Sequence, residues 1–235
     1  MTQAVEHSDR SGISVTDLSH VYRAGGQSVE ALSRADLAVS AGEFLAVMGI
    51  SGSGKSTLVS ILGGLLVPSG GEVNSFGFDL VHCSSDERAR YRAEVATVVF
   101  QEFNLFSMLT AQENVATALE LWGHERAEAT TEATTALEKV GLADLGDRFP
   151  GQLSGGQRQR VAIARALAAR RPLVLADEPT AAIDRHTGAT VRALFRTLAD
   201  QGSTVIVATH DPQFAQAADR VLDIVDGHMV AASAL

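Results

Sequence analysis

The sequence predicts an α/β fold built on a mostly parallel β-sheet, with an antiparallel β subdomain and an inserted helical subdomain. Short apolar runs alternate with helical patterns along the chain, as in parallel sheets that are covered on both faces. Near the start of the chain, apolar and polar residues alternate instead, which is typical of antiparallel strands. A segment in the middle is mostly helical in pattern and poor in strands, which predicts the inserted subdomain.

The antiparallel subdomain is the first predicted structure in the chain. Residues 1–11 lack the basic-then-apolar pattern of a signal peptide and are expected to form a flexible tail. Strands are predicted at Ile13–Tyr22 and Val29–Val39. Residues 12–235 as a whole are expected to form a single domain.

The strands of the predicted parallel sheet are short apolar runs. They are expected at Glu43–Met48, Val95–Phe100, Leu173–Ala176 and Thr204–Thr209. The last two predicted strands, Val221–Val225 and Met229–Ala232, are joined by Asp226-Gly227, a two-residue hairpin signal.

The predicted helical subdomain covers about residues 104–152. Thr110-Ala111-Gln112-Glu113 is a capping box that begins one helix. Arg126–Val140 is predicted to form another, which Gly141 ends.

Composition restricts the classes of partner. A formal net charge of −9 argues against a general affinity for nucleic acid or anionic lipid. Hydrophobic residues make up 46% of the chain, yet no run approaches the 18 or so apolar residues of a membrane span. The single cysteine, Cys83, cannot form an internal disulfide, so a reducing cytoplasm is the expected setting.

A phosphate-binding loop is the most informative motif. Its pattern G-x-x-x-x-G-K-[ST] is met by Gly49-Ile50-Ser51-Gly52-Ser53-Gly54-Lys55-Ser56-Thr57. The glycines leave backbone N–H groups free to surround a polyphosphate, and the helix predicted at Lys55–Leu62 presents its N-terminus to that charge. Lys55 would reach the β- and γ-phosphates, and the Ser56 hydroxyl would bind Mg²⁺. The alternative, a glycine-rich turn that binds nothing, does not explain why a strand and a helix flank the loop. The sequence therefore predicts a P-loop NTPase core.

Two carboxylates follow the strand predicted at Leu173–Ala176. Asp177 would help to hold Mg²⁺, and Glu178 would orient or deprotonate the water that attacks the γ-phosphate. An Asp-Glu pair at a strand end is often only a structural turn. Downstream of a phosphate loop, the catalytic interpretation is favoured.

The segment Leu153-Ser154-Gly155-Gly156-Gln157 has two possible explanations. Ser154 and Gln157 make a capping box for a helix predicted over Gly155–Arg171. Capping does not require two glycines in the first turn, where each weakens the helix by about 1 kcal/mol. Glycines at this place are favoured if a phosphate must approach the backbone, which points to a ligand.

With this segment the chain resembles the ATP-binding cassette (ABC) family, whose signature motif it matches. The likeness runs from about Ser14 to the C-terminus. The family's motifs occur in order at Tyr22, the phosphate loop, Gln101, the signature, Asp177-Glu178, Asp184 and His210. The segments Val99–Phe106 and Gly151–Ala162 are most similar to the lipoprotein-release, macrolide-export and cell-division branch.

The resemblance implies a role for each matching residue. Tyr22 is expected to stack on adenine, and Gln101 to contact Mg²⁺ or the attacking water. His210 is expected to contact the γ-phosphate and hold that water. Asp184 is expected at the junction with a second copy, beside the nucleotide. Ser154, Gly155, Gly156 and Gln157 are expected to bind the ATP that is held by the phosphate loop of the other copy.

The chain departs from its expected branch at one place. Ala181-Ala182-Ile183-Asp184 replaces the Gly-Asn-Leu-Asp that is common there, although the aspartate is kept. Ile50 occupies a variable position of the phosphate loop. Neither change removes a donor, an acceptor or a metal ligand, so an active ATPase is expected.

The leading functional hypothesis is the ATPase subunit of an ABC transporter or mechanotransmission complex. It would dimerise head to tail around two Mg-ATP, drive separate permease subunits and lie on the inner face of the cell membrane. One alternative is a soluble ABC-type ATPase in assembly or repair, with no permease. Another is a small-molecule kinase, which has no use for the signature. The sequence does not identify the cargo, its direction, the permease, or whether the dimer has identical subunits.

Overall fold

A computed structural model describes residues 12–231 of the chain. The tail predicted for residues 1–11 and the last residue of the predicted final strand, Ala232, lie outside these residues. The strands are β1 (Gly12–Ala24), β2 (Gln27–Ser40), β3 (Phe44–Met48), β4 (Gly70–Ser75), β5 (Phe78–Asp79), β6 (Ala96–Val99), β7 (Leu173–Asp177), β8 (Thr204–Thr209), β9 (Arg220–Val225) and β10 (His228–Ala231). The α-helices are α1 (Lys55–Leu62), α2 (Ser85–Glu94), α3 (Ala111–Leu121), α4 (Arg126–Lys139), α5 (Gly155–Ala169), α6 (Arg185–Asp200) and α7 (Pro212–Ala217).

The central sheet has six strands in the order β10-β9-β3-β8-β7-β6. All neighbouring pairs are parallel except β10 and β9, which form the hairpin predicted around Asp226-Gly227. Every residue of β7 and β8 is buried, which explains why these strands have continuous apolar sequences. The predicted mostly parallel sheet is confirmed.

A second sheet has four strands in the order β2-β1-β4-β5, and all of its pairs are antiparallel. β1 and β2 are the two antiparallel strands that the alternating pattern predicted. The sequence analysis did not identify β4 or β5. These strands are short and polar, and their residues include Gly70, Gly71, Glu72 and Asn74, so local propensity gives no strand signal.

Residues 104–152 contain α3, α4 and two short 3₁₀-helices, and no strand. Thr110 accepts a hydrogen bond from the Glu113 amide, and Glu113 accepts one from the Thr110 amide, as the capping box predicted. These helices pack with α5 in one buried apolar cluster. The exact limits of a helical subdomain remain a prediction from the sequence.

The helix predicted over Gly155–Arg171 is shorter in the structure and ends at Ala169. Arg170 is left-handed, with φ of 47°, and Pro172 restricts the backbone of Arg171. The prediction also missed α2, although Ser84 and Glu87 form a capping box at its start. Because Tyr91 is the only buried side chain of α2, the helix has no apolar periodicity to reveal it.

The central sheet separates two apolar cores. In β8, Val205 and Val207 face the core shared with the helical segment, whereas Ile206 and Ala208 face the core shared with the antiparallel sheet. Strands β3 and β7 alternate in the same way, as the period of two requires. Packing therefore fixes both faces of the sheet. The strand ends from which the loops extend are held in place.

Candidate active site

A cleft of about 410 Å³ opens where the parallel strands of the central sheet end. The strand register brings their ends together: Met48 of β3 pairs with Thr209 of β8, and Asp177 of β7 pairs with Ala208. The loops after these strands therefore meet at one edge, where open α/β sheets bind ligands. The predicted site residues that line the cleft are Tyr22, Ser51, Gly52, Gly54, Lys55, Ser56, Thr57, Gln101, Asp177, Glu178 and His210.

The other predicted site residues are not in the wall of this cleft. Gly49 and Ser53 belong to the same loop but do not border the space. The segment Ser154–Gln157 and Asp184 also lie outside the wall. The structure thus brings together the phosphate loop, the acids and His210, and leaves the predicted signature apart from them.

Two glycines of the phosphate loop are required by close packing within the chain. A Cβ on Gly49 would lie 2.5 Å from the Ile224 carbonyl oxygen, and a Cβ on Gly54 would lie 2.3 Å from that of Ala31. Both residues also have positive φ. The glycines of this loop were predicted to admit a phosphate, but at these two positions the chain's own backbone already excludes a side chain.

Lys55 is held inside the loop that it follows. Its side chain is only 6% exposed, and Nζ donates to the carbonyl oxygens of Gly49 at 2.7 Å and Ile50 at 3.0 Å. The same Nζ lies 3.8 Å from Oε1 of Glu178. The ammonium group is therefore fixed between the phosphate loop and the acid at the end of β7.

Asp177 is a buried carboxylate with an unused oxygen. It is 8% exposed, and its Oδ1 has no hydrogen-bond partner within the described part of the chain. Burial, reinforced by the charge of Glu178, raises its pKa, while a hydrogen bond with Ser56 and the charge of Lys55 oppose the rise. A buried oxygen without a partner, next to a serine hydroxyl, suits a hard cation such as Mg²⁺.

Glu178 has a strained backbone and a side chain with several partners. Its φ is 48°, a left-handed value that a non-glycine residue rarely adopts. Oε1 is 2.9 Å from Nδ1 of His210, and Oε2 accepts a hydrogen bond from the Thr209 hydroxyl at 3.1 Å. The carboxylate is therefore aimed into the cleft beside both Lys55 and His210. Sequence reasoning missed Thr209, although a polar residue at the end of a buried strand is a usable signal.

Tyr22 also borders the cleft. Its ring is partly exposed, and its hydroxyl is 3.3 Å from Oγ1 of Thr57, in the first turn of α1. The ring of buried His20 packs edge-on against it, with a distance of 4.6 Å between ring centroids. Sequence reasoning also missed His20, because its partner is defined only once β1 is folded.

The sequence matches the ABC transporter family over residues 32–181, which is more than half of the chain. This chain belongs to the ABC transporter family. Membership of this family assigns the chain to a class of activity, which is ATP binding and ATP hydrolysis. The small-molecule kinase considered as an alternative is therefore wrong.

Several curated ABC proteins are similar to most of this chain. The macrolide export ATP-binding/permease proteins MacB of Shigella sonnei (strain Ss046) and Escherichia coli (strain K12) are each 44% identical over 218 residues. That alignment covers 93% of this chain and 34% of each relative. The chain thus spans about a third of the length of these relatives. Their similarity confirms the expected branch that includes macrolide export.

Solved ABC structures have the same fold. A dimeric structure of the ATP-binding cassette MJ0796 in a post-hydrolysis state, bound to ADP and Pi, superimposes with a TM-score of 0.89 at 36% identity. The superposition covers 95% of this chain and all of the MJ0796 chain. A second dimeric structure of MJ0796, described as a bacterial ABC transporter cassette, also has a TM-score of 0.89, at 37% identity. The predicted P-loop NTPase fold is confirmed.

In this ABC chain the signature segment begins α5, away from the cleft. Ser154 accepts a hydrogen bond from the Gln157 amide, and Gln157 accepts one from the Ser154 amide, as a capping box does. A Cβ on Gly156 would lie 3.1 Å from the Ala182 carbonyl oxygen, so packing within the chain accounts for this glycine. A Cβ on Gly155 would meet nothing closer than 3.9 Å. Packing therefore does not explain Gly155.

Asp184 has a clear structural task as well. It caps α6, accepting hydrogen bonds from the amides of His186 and Thr187 and from the Thr187 hydroxyl, and these bonds lower its pKa. It borders a second cleft of about 400 Å³, which shares Glu178 and His210 with the first. The surface around Asp184, near the signature, is thus continuous with the surface around the acids.

Among the helices of residues 12–231, none combines enough length with enough apolar character to cross a bilayer.

Proposed function

We propose that this chain is the ATP-hydrolysing subunit of an ABC transporter or mechanotransmission complex. It acts as a head-to-tail dimer around two Mg-ATP and drives a membrane permease. The observation that carries the proposal is the separation of two motifs: the phosphate loop and the acids share one cleft, whereas Ser154–Gln157 lies outside it. A second copy in head-to-tail orientation would bring the missing segment to each cleft. The dimeric structures of MJ0796 support this arrangement.

Nucleotide binding would use Tyr22 and the phosphate loop, which border the same cleft. The partly exposed ring of Tyr22 would stack on adenine, which is a flat and apolar surface. Lys55 and the backbone amides at the start of α1 would hold the phosphates, because both carry positive charge toward the same space. The Tyr22–Thr57 hydrogen bond joins the ring to the phosphate loop, so the base and phosphate sites would be positioned as one unit.

A divalent cation fits the oxygen atoms beside the phosphate loop. Ser56, Gln101 and Asp177 border the same cleft and offer hydroxyl, amide and carboxylate oxygens. When bound, Mg²⁺ would neutralise charge on the phosphate oxygens. The buried Oδ1 of Asp177 would then gain a partner that the protein itself does not provide.

Hydrolysis requires a base next to the γ-phosphate, and Glu178 is the candidate. Its carboxylate would accept a proton from water as the water oxygen bonds to the γ-phosphorus and the bond from that phosphorus to the ADP oxygen breaks. His210, 2.9 Å from Oε1, would hold the carboxylate and the water in line. Lys55, 3.8 Å from the same oxygen, would stabilise the negative charge that develops on the phosphate oxygens as ADP leaves.

The dimer would convert this chemistry into movement. A γ-phosphate that contacts both copies stabilises the closed dimer, and its release after hydrolysis removes those contacts. Gln101 lies in the cleft and is followed directly by the loop that leads to α3, so this loop would transmit the change to a permease. The relatives named as ATP-binding/permease proteins support a membrane partner, at which this chain would lie on the cytoplasmic face.

The proposal is tested with Glu178→Gln, which keeps the size of the side chain and removes its basicity. We expect the variant to bind ATP as wild type does and to hydrolyse it at least about 100-fold more slowly, since it lacks the general base. We also expect it to elute as a dimer on size-exclusion chromatography with Mg-ATP. Turnover is measured by phosphate release, and ATP binding by equilibrium titration.

The matched control is Glu72→Gln, which makes the same change at an exposed position of β4, outside the cleft. It should hydrolyse ATP at the wild-type rate and remain monomeric under the same conditions. A Glu178→Gln protein that stays monomeric with Mg-ATP and turns over normally would overturn the proposed mechanism.

A further inference from the structure

The loop between β6 and α3 contains an unusual stretch of backbone. Phe103 and Asn104 are consecutive and both left-handed, with φ of 61° and 46°. Asparagine tolerates this conformation, but a bulky phenylalanine does so only when the surrounding structure compensates for it. Gln101, which lines the candidate active site, lies two residues before Phe103. Gln101 and this strained stretch therefore belong to the same short loop.

Arg165 of α5 binds the two strained residues. Its Nη1 donates to the Asn104 carbonyl oxygen at 2.8 Å, and its Nη2 donates to the Phe103 carbonyl oxygen at 3.2 Å. A planar guanidinium can hold two neighbouring carbonyls in this way, and a lysine ammonium cannot reproduce the fork. Among residues 12–231, no carboxylate forms an ion pair with Arg165.

The environment of Arg165 gives this interaction its strength. Burial lowers the pKa of the guanidinium, and hydrogen bonds in a site with little water are stronger than those on the surface. The two carbonyls are the only acceptors that it contacts within the described residues. Arg165 therefore holds the loop and does not pair with an acid among the described residues.

Two further contacts fix the same loop. The guanidinium of Arg158, in the first turn of α5, lies over the Phe103 ring at 5.3 Å from its centroid. On the other side, the fully buried Asn114 of α3 accepts from the Phe106 amide at 2.7 Å and donates to the Phe106 carbonyl at 3.1 Å. The loop is therefore held from α5 at residues 103–104 and from α3 at residue 106.

We infer that Arg165 is a positioning residue for Gln101, holding the strained Phe103–Asn104 backbone so that the glutamine side chain stays in the active-site cleft. This inference rests on the proposed role of Gln101 in the reaction. The helix that carries Arg165 begins at Gly155, directly after its N-cap Ser154, so one rigid element connects the signature to the loop of Gln101. Arg165 acts through Gln101 and makes no contact with ATP itself.

The test compares Arg165→Lys with Arg160→Lys. Arg160 is the matched control, because it lies on the same helix and its Nη1 also donates to two carbonyls, those of Val140 at 3.0 Å and Gly141 at 3.3 Å. Its loop does not lead to Gln101. We expect Arg165→Lys to lower kcat about tenfold and to change KM for ATP less than about twofold. Arg160→Lys should leave both within about twofold of wild type. An Arg165→Lys enzyme with wild-type kcat would overturn the inference.

A double-mutant cycle with Gln101→Ala separates positioning from a general structural role. If Arg165 acts through Gln101, adding Arg165→Lys to Gln101→Ala produces no further loss of kcat. Losses that multiply would overturn the inference and leave the proposed role of Gln101 standing. A Gln101→Ala enzyme with unchanged kcat would instead remove that proposed role, and the inference with it.

A second variant guards against an Arg165→Lys protein that does not fold. Arg158→Met keeps the side-chain stem and removes the charge over the Phe103 ring. We expect it to lower kcat about threefold in the wild-type background and to have no effect in the Gln101→Ala background. Equal losses in both backgrounds would count against positioning.

Discussion

At the scale of single residues, His20 shows how a buried group can support a functional one. It is 7% exposed and packs edge-on against Tyr22, whose hydroxyl contacts Thr57 of the phosphate loop. Burial lowers the pKa of His20 below its usual 6.5, although a hydrogen bond with the Val67 backbone opposes this effect. The neutral ring is therefore the form that the fold accommodates.

The lowered pKa predicts the direction of a pH effect on stability. As pH falls through 6.5, the unfolded chain gains a proton on His20 before the folded chain does, so protonation favours unfolding. The stability that depends on neutral His20 is present above pH 6.5 and is lost between that pH and the lower folded-state pKa. His20→Gln removes this titration. Between pH 7.5 and pH 5.5 the melting temperatures of both proteins should decrease. We expect the decrease for the variant to be about 1–2 °C smaller than the decrease for wild type.

The measurement is thermal unfolding followed by circular dichroism at both pH values, without nucleotide. His228→Gln is the control, because His228 is exposed and lies on β10 away from the cleft. It should follow the wild-type curve. If His20→Gln lost as much melting temperature as wild type, burial of His20 would not contribute to the acid sensitivity of the fold.

At the scale of elements, the N-terminus of α5 has both a structural and a proposed functional task, and the two can be separated. Ser154 and Thr110 are the N-caps of α5 and α3, and each accepts a hydrogen bond from the amide three residues later. Ser154→Ala and Thr110→Ala should therefore each lower the free energy of unfolding by about 1 kcal/mol. Only Ser154→Ala should also lower kcat, by at least about tenfold, because the Ser154 hydroxyl would contact ATP in the partner copy.

Denaturant unfolding and steady-state ATP hydrolysis measure the two effects. Thr110→Ala controls for the loss of a cap, since it makes the same kind of change on a helix whose start does not reach a phosphate in the proposed dimer. If both variants lost stability but kept wild-type turnover, capping would account fully for Ser154.

The elements also show how far sequence reasoning reaches. The limits predicted for α1 and β8 agree with the structure residue for residue, because a glycine-rich loop and an unbroken apolar run mark them locally. The signals for α2 and β4 are weak, since α2 buries little and β4 is polar. Local pattern therefore identified the buried strands of the central sheet and missed polar elements outside it, namely α2 and strand β4 of the antiparallel sheet.

In the candidate site, too, some residues are predicted from local sequence and others are not. Motif spacing was enough to predict Lys55, Asp177 and Glu178, whose convergence follows from the order of parallel strands. It could not predict that Thr209 binds Glu178 or that Arg165 binds the loop after Gln101. These contacts join residues that are distant in sequence, and no periodicity or cap signals them.

At the scale of the whole molecule, the proposed dimer predicts that defects in different motifs complement one another. Lys55→Ala damages the cleft of its own copy, whereas Ser154→Ala damages the segment offered to the other copy. Each variant alone should be nearly inactive. In an equal mixture about half of the dimers are mixed, and a head-to-tail mixed dimer has one site with both defects and one intact site. The mixture should therefore recover about a quarter of wild-type ATP hydrolysis.

A second mixture tests whether this recovery depends on which copy supplies each motif. Lys55 and Glu178 border the same cleft, with 3.8 Å between Nζ and Oε1. When Lys55→Ala is mixed with Glu178→Gln, each site of a mixed dimer has one damaged cleft, so no activity should return. Phosphate release is measured for both mixtures at equal total protein concentration. Recovery in the first mixture alone is the result expected from a composite site. No recovery in the first mixture, although mixed dimers form, would mean that each copy binds and hydrolyses its nucleotide without the signature of the other. Recovery in the second mixture would contradict the assignment of Lys55 and Glu178 to one cleft.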